Sequence, residues 1–129
     1  MFGRKNMSYP RLFSLKCPDG WAASTDCLSG KHLTDDPPFG LLWEELGEDL
    51  IFVSVDSSGF GIDLGWYPDQ SPSGKLVLEM VELKRLAETY ANPIREFHTR
   101  SVWEAKQTLE KWMAELQHQS AEPSLRGDV

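Results

Sequence analysis

The sequence predicts one α+β domain: an antiparallel β-meander sheet with a C-terminal amphipathic helix packed on one face. The chain has 129 residues, the length of a single domain. Its middle contains three consecutive strand-like segments joined by short connections, and its last third contains one long stretch of helical periodicity. A hydrophobic fraction of 40% with 5 Trp supports a packed core. We expect this domain to span residues 1–118 and the polar residues 119–129 to form a disordered tail.

The three central strands are predicted from β-branched and aromatic content and from alternation. Residues 50–55 form the first strand. Residues 60–66 alternate with period two, so the large apolar side chains, Trp66 among them, share one face that we expect to be core. Gly61, Asp63 and Gly65 share the other face, where glycine weakens a strand unless another group approaches closely. Residues 75–83 are apolar on both faces, which indicates an interior strand.

The flanking segments carry weaker patterns. We predict short strands at residues 11–15, 21–25 and 94–98, a brief helix at 41–46 and one or two helical turns at 84–91. Residues 28–40 and 67–74 are rich in Gly, Pro, Asp and Ser and are predicted to be loops.

The final helix has the clearest start signal in the chain. Ser101 and Glu104 have the spacing of a capping box, in which each side chain accepts from the other residue's backbone N–H. The apolar stripe that follows is predicted to pack on the sheet, and Trp103 and Trp112 are expected in the core. The stripe comprises Val102, Ala105, Leu109, Trp112, Met113 and Leu116.

The formal net charge is -7, and it is concentrated in one block. From His32 to Gly74 there is no Lys or Arg, whereas nine residues are Asp or Glu. Such a block repels nucleic acid and anionic membranes and attracts basic surfaces. The alternative is a solvated acidic face that keeps the protein in solution.

Catalytic and metal-binding patterns are weak. Cys17, Cys27 and His32 lack paired spacing and a fourth ligand, so we predict no metal site, and we expect both cysteines as reduced thiols in or near the core. No histidine stands in a nucleophile motif and no phosphate-binding glycine loop is present, so we predict no catalytic residue and no cofactor.

No apolar run suggests a signal peptide or a membrane span, which favours a cytoplasmic protein. Neighbouring carboxylates keep a small carboxylate-dependent hydrolase open as an alternative.

A binding surface is the remaining interpretation. Trp43 and Tyr67 are candidate aromatic anchors, because such side chains bury a large area at low entropy cost, and acidic neighbours would steer a basic partner. A structural subunit that associates through these aromatics is the other alternative. The predicted partner-binding residues are Asp35, Asp36, Trp43, Glu44, Glu45, Glu48, Asp49, Asp63, Tyr67 and Asp69.

Two segments carry a family resemblance: residues 62–68 (IDLGWYP) with Ser73-Gly74-Lys75 after them, and residues 92–101 (NPIREFHTRS) before the final helix. They resemble bacterial immunity proteins of contact-dependent growth inhibition and related polymorphic toxin systems. The resemblance covers about half of the chain, from Leu50 to Leu116. It implies a non-enzymatic cytoplasmic protein that binds and neutralises one cognate toxin domain, often a nuclease. The acidic block suits a basic toxin.

Overall fold

The computed structural model describes residues 12–121, without the side chains of Trp43 and of residues 118–121. A five-stranded antiparallel sheet forms the centre of this part of the chain, and strands adjacent in sequence are adjacent in the sheet. The predicted meander is therefore confirmed, with one further strand on each side of the three central ones. The strands are β1 (Trp21–Asp26), β2 (Ile51–Val55), β3 (Phe60–Tyr67), β4 (Lys75–Glu82) and β5 (Arg95–Thr99).

The described residues also form two 3-10 turns, Trp43–Glu45 and Leu83–Arg85, and two α-helices. Helix α1 (Leu86–Ala91) lies in the connection between β4 and β5, as predicted for residues 84–91. Helix α2 (Val102–Ala121) is the predicted C-terminal helix, and it continues past its expected end at residue 118. The rest of the predicted tail, residues 122–129, lies outside the described residues.

One face of the sheet packs against α2 and forms the core. Ile62, Leu64 and Trp66 of β3 are fully buried there, as their alternation predicts. Every residue of the predicted helical stripe is also buried. Loop residues close the same core from the side: Phe13, Leu28, Phe39, Leu41 and Leu46. The other face of the sheet is covered in part by α1 and is described with the candidate site.

The start of α2 is capped by three side chains. The Glu104 N–H donates to Ser101 Oγ (3.1 Å), which is the serine half of the capping box. Thr99 takes the place of the glutamate half, because the Ser101 N–H donates to the Thr99 hydroxyl oxygen (3.0 Å) and not to Glu104. The Thr99 hydroxyl in turn donates to Glu104 Oε1. The Val102 N–H donates to Asp35 Oδ1 (2.7 Å). Loop residue Asp35 therefore ties the 28–40 loop to the first turn of the helix.

Two predicted elements differ from the structure. The described part of segment 11–15 forms no strand: Leu12 makes an isolated bridge with His32, and Phe13 exchanges two backbone hydrogen bonds with residues 30 and 31 before turning into the core. The predicted helix at 41–46 shortens to the turn Trp43–Glu45. Its apolar residues at 41 and 46 are buried as loop residues instead.

Two predictions about burial are also wrong. Trp103 is 43% exposed, whereas Trp112 is 3% exposed. Position 103 follows the stripe residue Val102 directly, so about 100° of helical rotation turns it away from the sheet. Cys17 and Cys27 are free thiols, as predicted, but both are exposed. They lie in loop and turn positions beside β1, where the chain runs over the surface.

Candidate functional site

Three carboxylates lie side by side on the sheet face that does not pack against α2. Asp63 of β3 pairs directly with Glu79 of β4, and Glu79 pairs with Glu96 of β5. Side chains opposite each other on antiparallel strands have Cβ atoms about 5 Å apart, and like charges in such pairs are destabilising. We call Asp63, Glu79 and Glu96 the acidic row.

The acidic row has little internal compensation. Glu96 lies 3.5 Å (Oε1) from His98 Nε2 at the sheet edge. The nearest lysine on the same face of β4 is Lys75, which pairs with Tyr67 and lies about 13 Å along the strand from Glu79. Among the described residues, no ion pair or hydrogen bond is formed by the carboxylates of Asp63 and Glu79.

Asp63 is the most unusual member of the row. It is 5% exposed, although aspartate is almost never fully buried unless it is paired. Burial raises its pKa to about 7, and the nearby carboxylates of Glu79, Asp49 and Glu48 add to the increase. The pKa of Glu79 is raised as well, by burial and by Glu96. Near neutral pH, Asp63 therefore alternates between a charged and a neutral form.

The Asp63 carboxylate faces a cavity of about 350 Å³ between the sheet and α1. Phe52, which pairs with Asp63 across β2 and β3, lies in the floor beside it. Leu86 and Tyr90 of α1 form the roof, and Asp49 lies at the side. No fully buried side-chain oxygen of the described residues lacks a hydrogen-bond partner. The unpartnered Asp63 carboxylate therefore retains contact with the solvent in this cavity.

Two tyrosines border the acidic row, and both remain protonated donors. Burial and the charge of Asp63 raise the pKa of Tyr90 to about 12 and shift the pKa of Tyr67 still higher. Neither hydroxyl hydrogen-bonds to a carboxylate within the described part of the chain. The tyrosines thus add polar and aromatic surface around the cavity without neutralising its charge.

The segment that precedes β2 brings further carboxylates to the same place. The Trp66 N–H donates to Gly47 O (2.8 Å) and the Leu50 N–H to Leu64 O (3.0 Å), so residues 47–50 extend the β2–β3 pairing. The Glu48 carbonyl lies directly over Gly65, where any Cβ would overlap it. A close neighbour is one of the reasons for which a strand contains glycine, and here it holds Glu48 and Asp49 near Asp63. Gly61 likewise admits the ring of Phe52, at 2.6 Å from an added Cβ.

A second depression, of about 380 Å³, adjoins this segment. Asp49 lines both this depression and the cavity over Asp63. The loop after β3 is fastened here, because the Gln70 side-chain amide donates to Glu44 O (2.8 Å) and the Gln70 N–H to Leu46 O (2.7 Å). We call the acidic residues of this depression the acidic rim: Glu45, Glu48, Asp49 and Asp69.

The predicted partner-binding residues divide into two groups in space. The acidic rim, with Asp63 and the half-buried Tyr67, is brought together at one side of the sheet. Asp35 and Asp36 line a different depression with Pro72, Arg100 and Ser101, and Asp35 caps α2. Glu44 is exposed next to the rim, and its carbonyl holds Gln70. The side chain of Trp43 lies outside the described residues.

Four residues of the site were not predicted from the sequence: Glu79, Glu96, Leu86 and Tyr90. The acidic row had a usable signal, because a meander places alternate residues of consecutive strands on one face. Asp63 would then have neighbours on that face of the next strand, and the register decides that Glu79 is one of them. Leu86 and Tyr90 carried no sequence signal, because no local pattern predicts how a helix as short as α1 packs against the sheet.

The arrangement is suited to holding a positive charge. No group of three or more His, Cys, Asp or Glu side chains within the described part of the chain could hold a metal ion.

None of the helices in the described residues is both long and apolar enough to cross a membrane. Comparison of the chain with protein-family models, with curated proteins and with solved structures finds no match.

Proposed function

We propose that this protein is a non-enzymatic immunity protein that binds and neutralises a basic toxin domain through its acidic rim and acidic row. The observation that carries the proposal is the weakly compensated charge at this site: carboxylates from β3, β4, β5 and the 45–49 segment converge there. Among the described residues no lysine or arginine forms an ion pair with them, and His98 beside Glu96 is the basic side chain within ion-pair distance. Lysine and arginine side chains of a partner would supply the missing charge.

The cost of this arrangement supports a binding role. Like charges in cross-strand pairs and an unpaired, buried Asp63 both destabilise the folded protein. A solvated acidic surface requires neither feature, because exposed carboxylates on loops keep their hydration. Recognition of a basic surface does use them, since converging negative charge steers a cationic partner and selects its orientation.

The resemblance to immunity proteins falls on the same part of the molecule. The segment at residues 62–68 is most of β3 and includes Asp63 and Tyr67. The segment at residues 92–101 includes β5 with Glu96. The motifs that suggested the family therefore contribute two of the three residues of the acidic row, which favours this face as the partner-binding surface.

The resemblance implies that the toxin gene lies directly upstream. The test is therefore titration calorimetry with the C-terminal domain encoded there, together with rescue of growth when both proteins are co-expressed. We compare Glu48→Lys/Asp49→Lys with the control Asp19→Lys/Asp56→Lys. Both pairs change the net charge equally, and Asp19 and Asp56 are exposed turn residues at the opposite end of β1 and β2. We expect the rim variant to bind about 100-fold more weakly or worse and to lose rescue, whereas the control keeps both.

Ionic strength provides an independent measure of the same interaction. Association with wild-type protein should slow as salt is raised, because screening shortens the range of the acidic field to about 8 Å at physiological ionic strength. Absence of wild-type binding at both low and high salt would remove the proposal. Equal binding by the two double variants would retain the partner but reject the rim as its surface.

One observation favours a second candidate, a carboxylate-dependent hydrolase. Asp49 and Asp63 line one cavity, and the raised pKa of Asp63 suits a general acid beside a second carboxylate. The test is turnover of chromogenic glycosides and esters by wild-type protein, Asp63→Asn and Asp49→Asn. Turnover that either variant abolishes would establish this candidate; substrates left intact by wild-type protein would leave the cavity to binding alone.

A further inference from the structure

The cavity over Asp63 has a more specific chemistry than the rest of the acidic surface. We propose that it receives the side chain of one lysine or arginine of the protein partner, with the cationic group on the Asp63 carboxylate and the alkyl stem between Phe52 and the α1 roof. This inference rests on the proposed function and deepens it, because it assigns one anchor within the broader acidic surface.

The size of the cavity favours a single side chain. Its volume of about 350 Å³ lies at the lower end of the roughly 300–1,000 Å³ range of small-molecule sites. A long side chain that enters from a partner needs a site that is open to the surface and has one charged end. The cavity supplies that end in Asp63, which is nine-tenths buried, unpartnered among the described residues and directed into the space.

The walls match the remainder of such a side chain. Phe52, Leu86 and the Tyr90 ring provide apolar and aromatic surface against which the methylene groups of lysine or arginine pack. An aromatic ring near the charged end also attracts a cation through its negative face. Asp49 adds a second negative charge at the side of the cavity. An anion or a wholly apolar group would leave both carboxylates unpaired.

The electrostatics of the free protein favour this occupant over water. Asp63 has already lost most of its hydration on folding, so a partner has less water to remove when it forms the ion pair. The pKa of about 7 reflects this loss together with repulsion from Asp49, Glu48 and Glu79. A cation that enters the cavity stabilises the charged form of Asp63 and so lowers its pKa. Its arrival therefore displaces a proton from the fraction of molecules in which Asp63 is neutral.

The first experiment tests the cavity without any partner. Butylguanidinium and butylammonium are titrated into the protein, with the uncharged 1-pentanol as control, and the Asp63 carboxyl carbon is followed by NMR. We expect both cations to shift this signal saturably and to lower the pKa of Asp63, whereas 1-pentanol leaves the pKa unchanged. Asp63→Asn should abolish the saturable response at Phe52 and Tyr90. No saturable shift with either cation overturns the inference.

The second experiment uses the toxin domain that the proposed function names. Asp63→Asn is compared with Asp56→Asn, which makes the same chemical change in the exposed turn between β2 and β3. We expect Asp63→Asn to weaken binding about 30-fold or more, as found when one member of a buried charge pair is removed, and Asp56→Asn to leave it unchanged.

The two proposals fail in different ways. Wild-type protein that binds the toxin, with equal affinity after Asp63→Asn, overturns the anchor and leaves the immunity function standing. Wild-type protein that does not bind the toxin overturns the proposed function and this assignment of the occupant. A partner-bound structure with a lysine or arginine side chain on Asp63 supports both.

Discussion

Replacement of Asp63 by Asn should stabilise the protein, although it alters a buried polar residue. Asn has nearly the same shape and removes the charge that repels Glu79, Asp49 and Glu48. The pKa of Asp63 is raised from 3.8 to about 7, so the folded state binds a proton more tightly than the unfolded state. Ionisation of Asp63 therefore opposes folding, by an amount that grows as the pH rises from about 4 to 7 and is constant above that range.

The magnitude follows from the shift in pKa. Each pKa unit corresponds to ~1.36 kcal/mol, so the shift to about 7 sets an upper limit of about 4 kcal/mol. Solvent in the cavity screens the carboxylate and reduces this figure. We expect Asp63→Asn to increase the free energy of unfolding by about 2–4 kcal/mol at pH 8 and by less than half of that at pH 5, where Asp63 is already protonated in the folded protein.

Urea denaturation followed by tryptophan fluorescence at pH 5 and pH 8 measures the effect. Asp56→Asn is the control, since the same substitution at an exposed turn residue should change the free energy of unfolding by no more than about 0.5 kcal/mol at either pH. A loss of stability at pH 8, or an equal gain at the two pH values, would refute the argument that charge on Asp63 strains the fold.

Three further predictions concern how the fold is held together. Gly65→Ala should destabilise the protein by about 3 kcal/mol in thermal unfolding, because its Cβ meets the Glu48 backbone. Gly61→Ala meets the outer edge of the Phe52 ring, which can shift as a side chain, and should cost about 1 kcal/mol. Equal effects of the two substitutions would contradict this. Asp35→Ala should remove the hydrogen bond to the Val102 N–H and lower the free energy of unfolding in urea by about 1 kcal/mol. Toxin affinity should not change, and weaker toxin binding would instead place Asp35 in the interface. Trp112→Ala should lower the free energy of unfolding in urea by about 3–5 kcal/mol, whereas Trp103→Ala should lower it by about 1 kcal/mol or less. A reversed order would contradict the observed packing of α2.

The strands and the long helix could be predicted because local pattern and global packing agree in them. In β3, four alternating apolar residues select one face, and every one of them contributes to the core or packs against it. The capping serine likewise marks the start of α2 by a bond within its first turn. The interior position of β4 followed from apolar residues on both faces, and the structure places it between β3 and β5.

The remaining features depend on contacts between distant residues. The sequence places Asp63 in a strand and not in a loop, but its burial could not be predicted, because it arises from α1 and from segment 47–50 folding over β3. Asp35 and Asp69 both lie in predicted loops and could not be distinguished from the sequence. In the structure Asp35 caps a helix, whereas Asp69 belongs to the acidic rim. The described part of the segment at 11–15 has a strand-like composition, but its backbone pairs with the loop at 30–32 and not with a strand of the sheet, so it forms one isolated bridge.

The alternation of β3 assigns packing and, under the proposed function, recognition to different residues of one strand. Odd-numbered positions from Gly61 to Tyr67 lie on the face of the acidic row, while the even-numbered positions lie among the side chains that pack with α2. Under the proposed function, exchange of the side chains at positions 63 and 67 can therefore alter which partner is accepted without repacking the interior, whereas Gly61 and Gly65 are held by their close neighbours. A protein that must follow a changing opponent benefits from this separation, because new specificity need not come at the expense of a stable fold.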